Sequence, residues 1–352
     1  MGRKKRRRLF LYTVLILALA AGLFLILRKK TTFNVSPGGE GENTGGQAQT
    51  TNESNFEKSP ISGLSCENAR RRPIAVMISN DSEARPVSGL SQADIVFEMQ
   101  VVQGSITRPM AVYVCGNPSK IGSVRSSRQD FIPLAQGLDA IYAHWGGSHF
   151  ALEILKKGVI DNLDALTNLY STFYRQSGIA APYNGFTSMS RIMNAAQKLG
   201  FRLDGKFAGY PHLSDTETAN HGQERKVLSI EYAGEYRVSY QYEPQTDLYL
   251  RYRGGLKEID KSTGKQVETK NVVVMRAQSS ELEGQYNTVE VTGSGQAEYY
   301  LNGQVIRGTW KKDKNDDKSK LFFYDGKDQE IKFVAGQIWV EIIDPGQVVT
   351  WK

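Results

Sequence analysis

Histidine and cysteine are scarce in this 352-residue chain, which holds four of the first and two of the second. Two cysteines, Cys66 and Cys115, do not make a metal site on their own. His149 shares a helix face with Glu153, but one pair is not a ligand set. His212 and His221 fall in polar linker sequence. No metal and no cofactor is therefore expected. No Gly-x-Ser-x-Gly turn occurs anywhere, so a serine hydrolase of the nucleophile-elbow kind lacks its central part. The paired carboxylates, Asp215 with Glu217 and Asp316-Asp317, lie in polar stretches without the apolar surroundings that would raise a pKa.

Acidic residues are missing from the first thirty positions, which carry nine basic ones. Arg3 to Arg8 precede an uncharged apolar run, Leu9 to Leu27, and Arg28-Lys29-Lys30 follow it. At 1.5 Å per residue that run spans roughly 28 Å, about the hydrocarbon thickness of a bilayer. Six basic residues before the run and three after it predict a cytoplasmic N-terminus and an exported body. Ala18-Leu19-Ala20 offers a small-x-small cleavage site, but apolar residues continue beyond it to Leu27. The run therefore predicts an uncleaved, single-pass signal anchor at the cell membrane, with cleavage as its rival. No cysteine stands nearby to carry a lipid. Without the anchor, the remaining residues have 35 basic groups against 37 acidic ones. The basic pI belongs to the anchor, and nucleic acid is excluded as a partner.

The chain divides into five parts: a tip and transmembrane anchor over 1–30, a polar, disordered stalk over 31–60, an α/β domain over 61–205, a linker over 206–226 and a β-rich domain over 227–352. The expected class is α+β. Apolar runs at Pro73 to Ser79, Asp94 to Met99, Met110 to Cys115 and Ala140 to Ala143 read as strands. Ser126 with Gln129 forms a capping-box pattern ahead of a short helix that contains Pro133. Ser148 and Ser188 each cap a helix that ends at a glycine, Gly158 and Gly200. After residue 227, short alternating stretches are separated by Asn302-Gly303, Asp325-Gly326 and Ser262 to Lys265, which predicts mainly antiparallel hairpins. Lys311 to Lys320 reads as a charged loop. The two cysteines admit a disulfide outside the cytoplasm, or separate thiols with Cys115 buried on a strand.

The chemistry on offer is anion recognition. His144-Trp145-Gly146-Gly147-Ser148 leads from a strand into a helix, a junction whose backbone N–H groups can meet a phosphate or carboxylate. Arg85, Arg108, Arg125 and Arg128 stand in loops or at strand ends. In a parallel or mixed sheet such loops gather at one edge. Arginine suits bidentate binding of both anions, although each of these could equally pair with Asp81, Glu83, Asp94, Glu98 or Asp130.

Longer stretches carry a resemblance. Arg72 to Asn80, Ala84 to Glu98, Ile106-Thr107-Arg108, Ile121 to Arg128, His144 to Ser148 and Ala181 to Ser188 are similar to the YerB-like family of lipoprotein-like proteins from Gram-positive bacteria. Asn271 to Val274, Gly308-Thr309-Trp310 and Gly336 to Val340 resemble that family's second domain. The resemblance implies an exported body in two parts and brings no activity with it. Two departures stand out: no lipid-bearing cysteine, and Asp81 and Tyr183 where the family often has histidine. The expected ligand site comprises Arg85, Arg108, Arg125, Ser126, Arg128, His144, Gly146, Gly147, Ser148 and Asn184. Three functions stay open, in this order: an extracytoplasmic module binding an anionic wall polymer, muropeptide or phosphate ester; a scaffold for an envelope protein through 227–352; and a hydrolase or transferase using His144 and Ser148.

Overall fold

The computed structural model describes residues 56–352. The expected membrane segment, Leu9 to Leu27, and most of the expected stalk lie outside the described residues. Among the described residues no helix is long and apolar enough to cross a membrane. The folded body begins earlier than residue 61. Lys58 bridges Ser65, and Ser59 is buried with its hydroxyl donating to Asp94 at 2.9 Å. Burial of the Asp94 carboxylate requires such donors, which recruits the end of the stalk into the fold.

The main strands of the two larger sheets are, in chain order, β1 Ile74–Met77, β2 Ile95–Gln100, β3 Thr107–Tyr113, β4 Ile141–His144, β5 Asn162–Asp164, β6 Val227–Ile230, β7 Val238–Glu243, β8 Leu248–Arg253, β9 Asn271–Arg276, β10 Gly293–Leu301, β11 Gln304–Lys312, β12 Phe322–Asp325, β13 Ile338–Ile343 and β14 Val349–Trp351. The main helices are α1 Phe131–Gly137, α2 His149–Lys156 and α3 Met189–Lys198. Ser148 and Ser188 cap α2 and α3 as their sequences predict, accepting from Ala151 N and Arg191 N. The Ser126–Gln129 capping box does not form. Asp130 is the N-cap of α1 and makes no side-chain cap bond. Residues 125–128 are drawn instead into extended pairing, with Ser127 bridged in parallel to Gly147.

Strands of both sequence segments join one ten-stranded sheet in the order β12-β11-β10-β9-β13-β2-β3-β1-β4-β5. β13 is the joint: it runs parallel to β2 from the first segment and to β9 from the second, with Val340 opposite both Phe97 and Val273. The second segment is therefore only partly a separate antiparallel layer. β8-β7-β6-β14 form that layer, while β9 to β13 extend the first segment's sheet. Both faces of the long sheet are covered, so every residue of β1, β3 and β13 is buried. Ala75, Met77 and Phe97 face a core shared with Phe131, Leu134 and Leu155 of α1 and α2. Ile74, Val76 and Val96 point the other way, toward Ile192 and Ala195 of α3 and toward Leu228, Tyr240 and Tyr249 of the second sheet. The Asn302-Gly303 turn joins β10 to β11 with both residues at positive φ, as a two-residue hairpin demands. Lys311 and Lys312 belong to β11, so the expected charged loop starts later. Lys312 is buried, its Nζ donates to the carbonyls of Asp317 and Ser319, and burial pushes its pKa down to about 8.

Cys66 and Cys115 are bonded, with 49 residues of separation.

Candidate anion-binding site

β1, β4 and β5 are parallel, and β3 runs against β1. The C-terminal ends of β1, β4 and β5 and the N-terminal end of β3 thus share one edge of the sheet, where open α/β sheets hold their ligands. Arg108 enters that edge from β3. Arg125 and Arg128 enter it from the extended stretch that follows β1 in space, since Arg125 N donates to Met77 O at 3.0 Å. Asp81 arrives from the end of β1.

Three of the four expected arginines converge here. Arg108 is buried, and its pKa is pushed down to about 9, first by burial and then by Arg128 and Arg125. Arg128 is likewise lowered by burial, with Arg125 adding to the effect and Tyr286 opposing it. A guanidinium has five N–H donors. Arg108 gives one hydrogen bond, to Ser126 O at 3.0 Å, and Arg128 one, to Ser127 O at 3.0 Å. Arg125 makes none among the described residues and has its nearest carboxylate oxygen, of Asp81, at 3.7 Å. The Nε atoms of all three are buried without an acceptor among the described residues. Their partners are aromatic: Arg125 lies over Tyr183 at 5.2 Å and Arg128 over Tyr286 at 5.4 Å.

The same residue type elsewhere in the body shows what a structural arginine looks like. Arg251, fully buried between the sheets, donates to Glu98 at 2.6 Å, Glu258 at 2.7 Å and Glu341 at 2.6 Å, and also to the Tyr240 hydroxyl. Arg253 shares Glu98 and Glu258 with it. There three carboxylates enclose two cations. In the cluster at the sheet edge, three guanidiniums face two acids. One is Asp81, which accepts a hydrogen bond from the Ser79 hydroxyl and none from an arginine. The other is Asp130, raised to about 7 by burial against the opposing hydrogen bond from Thr288.

The other expected residues take different positions. Arg85 is not part of the cluster: it donates to Asn80 O at 2.7 Å, meets Glu235 at 3.4 Å and packs on Tyr236. His144 is fully buried, its Nδ1 at 2.8 Å from Gly146 O and its Nε2 at 3.3 Å from Asn162. Ser126 contributes its carbonyl to Arg108. Two of the three N–H groups of the Gly146-Gly147-Ser148 turn are used within the body. Gly146 N is spent on Asp164 at 2.8 Å and Ser148 N on Ser127 O, while Gly146 O receives Ser127 N. Ser148 Oγ caps α2 and donates to Gln129. The turn is a brace that holds residues 125–128 in place, and His144 supports the brace. Asn184 serves Arg175 and Gln176 in a neighbouring loop. His144 and Ser148 share no contact that would make a nucleophile and its base. Tyr183, Tyr286 and Asp130 were not legible as site residues. Tyr286 is brought in from the second segment by the hairpin Ser279–Glu283 and Tyr286–Val289, which no local pattern could foretell.

The geometry defines a mostly β body with few helices, whose two sequence segments share a mixed sheet and close one cationic edge. Comparison with known proteins agrees on that division. Residues 61–202 match the N-terminal domain, and residues 228–340 the C-terminal domain, of a protein family of unknown function, DUF3048. The chain belongs to this family. It is 32% identical over 292 residues to a Bacillus subtilis protein named "Putative lipoprotein YerB", covering 81% of this chain and 86% of the relative. The crystal structure of YerB from Bacillus subtilis superposes with a TM-score of 0.75 at 28% identity, covering 84% of this chain and 99% of that one. Nearly the whole chain of the crystallised relative is matched, so that relative folds as a unit of about this extent.

Proposed function

We propose that this chain is a membrane-associated protein of the cell envelope whose body lies outside the cytoplasm and binds an anionic ligand through Arg108, Arg125 and Arg128. The ligand is a phosphate- or carboxylate-bearing envelope component: a wall polymer, a muropeptide or a phosphate ester. The location is supported by the apolar run Leu9 to Leu27 and its basic flanks, and by the lipoprotein description of the Bacillus relative. The binding is carried by one observation: three convergent guanidiniums use only two hydrogen bonds among the described residues and repel one another. An anion entering between them would satisfy donors that are otherwise idle and cancel that repulsion.

The test is retention of the body, residues 56–352, on isolated anionic wall polymer, with inorganic phosphate as competitor. Replacing Arg125 and Arg128 by Ala is expected to abolish retention while the fold persists. Unchanged retention in that variant would overturn the reading.

A further inference from the structure

We infer that the face built from the loop 165–175 and the adjoining Arg191 and Lys198 of α3 is a docking surface for an anionic lipid membrane, distinct from the arginine cluster and independent of its assignment. Between Ala165 and Leu203 the chain has no aspartate or glutamate and carries Arg175, Arg191, Lys198 and Arg202. This run sits in a folded body, residues 56–352, whose 35 basic groups nearly equal its 34 acidic ones, so the charge is segregated. Arg202 is committed to Asp139 at 2.5 Å. Arg175, Arg191 and Lys198 form no ion pair among the described residues; their contacts are carbonyls, an amide and aromatic rings.

The fold places large apolar side chains in water beside these cations. Leu166, Leu169 and Tyr170 are 67%, 50% and 48% exposed. A single exposed leucine needs no explanation, but three such residues within five positions of one loop form a patch. The loop is held in shape. Asn168, Tyr170 and Ser171 have φ of 42°, 56° and 55°, a region that non-glycine residues seldom enter. The Asn168 side chain bonds both N and O of Phe173, at 2.8 and 3.2 Å. Arg191 of α3 donates to Ser171 O at 2.6 Å and packs over Tyr174, and Lys198 lies 5.2 Å from the Tyr170 ring centroid. On the adjoining flank Arg175 stacks on Trp145 at 4.6 Å. The preceding acid, Asp164, spends one oxygen on Gly146 N and Leu166 N.

Leucines flanked by Tyr, Trp, Arg and Lys, with acid excluded, match the chemistry of a lipid interface. Aliphatic groups enter the headgroup–acyl boundary, aromatic rings sit at headgroup depth and cations meet lipid phosphates. A hydrophilic polyanion would satisfy the cations and leave Leu166 and Leu169 in water, so the lipid surface is the occupant that uses every part of the patch.

The experiment is cosedimentation of residues 56–352 with vesicles of phosphatidylglycerol and phosphatidylcholine, and with phosphatidylcholine alone. Binding is expected to the anionic vesicles, to weaken in high salt, and to fall about ten-fold or more in a Leu166→Ser, Leu169→Ser, Tyr170→Asn variant. Asn is chosen at 170 because it tolerates positive φ, and an unchanged melting temperature checks the fold. Lys198→Glu is expected to weaken binding several-fold, and Arg125→Ala with Arg128→Ala to leave it unchanged. Equal binding by the triple variant, no preference for anionic vesicles, retention on wall polymer but not on vesicles, or loss of vesicle binding in the Arg125/Arg128 variant would each overturn the assignment.

Discussion

The guanidinium carbon of Arg128 lies 5.4 Å from the centre of the Tyr286 ring. Arg128 belongs to the first sequence segment and Tyr286 to the second, so the cationic edge is completed only when both segments have folded together. Tyr286 also touches His149 and Phe150 at the start of α2, which fixes the ring over the arginine. Replacing Tyr286 by Phe keeps the ring and is expected to leave anion retention unchanged. Tyr286→Ala is expected to weaken it about three-fold, the scale of one cation–π contact near 0.5–1 kcal/mol. Phosphate competition curves for the two variants check this.

Anion binding should depend on pH in two ways. Asp130 lies beside Arg128 and is raised to about 7, mainly by burial. Below that pH it is neutral and no longer offsets the arginines, so binding is expected to be tighter at pH 6 than at pH 8. Arg108 is lowered to about 9, so binding is expected to fade as pH rises through 9. Asp130→Asn removes the first effect and leaves the second, which retention measured from pH 5.5 to 10 would show.

The same aspartate has a stability consequence. Its pKa is higher in the folded state than the ordinary 3.8, so the folded state binds the extra proton. Stability is full below about 4 and falls as pH rises toward 7. Asp130→Asn is therefore expected to stabilise the body at pH 8, by at most about 4 kcal/mol for a three-unit shift, and to do little at pH 4. Urea unfolding at the two pH values measures it.

Arginines in the two environments should respond oppositely to removal. Arg251→Met strands Glu341, whose cationic partner among the described residues is Arg251, in a dry interior and is expected to cost about 3–5 kcal/mol. Arg125→Ala relieves repulsion from Arg108 and Arg128 and is expected to cost less than about 1 kcal/mol, or to stabilise. Denaturant midpoints of both variants discriminate a structural cation from one kept for a ligand.

The Cys66–Cys115 bond closes a loop across 49 positions. In the chain-entropy account a loop of this size is worth about 4 kcal/mol. Cys66→Ser with Cys115→Ser, or mild reduction, is expected to lower the melting temperature by several degrees while leaving anion retention in place, because neither cysteine contacts the arginine cluster.

Much of the local structure was legible. Strands β1, β2, β3 and β4 fall on their apolar runs, Ser148 and Ser188 start their helices, and Asn302-Gly303 turns its hairpin. These signals are local: a period, a hydroxyl at a helix start, a backbone that reaches positive φ. The Ser126–Gln129 pattern was equally local and failed, because residues 125–128 gain more by pairing with the Gly146–Ser148 brace than by starting a helix early. The site was half legible. Arginines at strand ends pointed to an anion, but nothing near Arg85 announced Glu235, a partner 150 positions away. His144 and the glycine turn carried the look of a ligand cradle, and burial made them its support.

The order of residues alone determines the apolar run with its basic flanks, the slightly acidic remainder, most of the element types and the arginine chemistry. These rest on charge, hydropathy and backbone preference, which act within a few positions. The folded chain alone decides the insertion of β13 between β2 and β9, the saturation of Arg251, and the gathering of Arg108, Arg125 and Arg128 beside Tyr183 and Tyr286. Strand pairing and the matching of buried charges link positions far apart in the chain, and only the common sheet brings them within reach of one another.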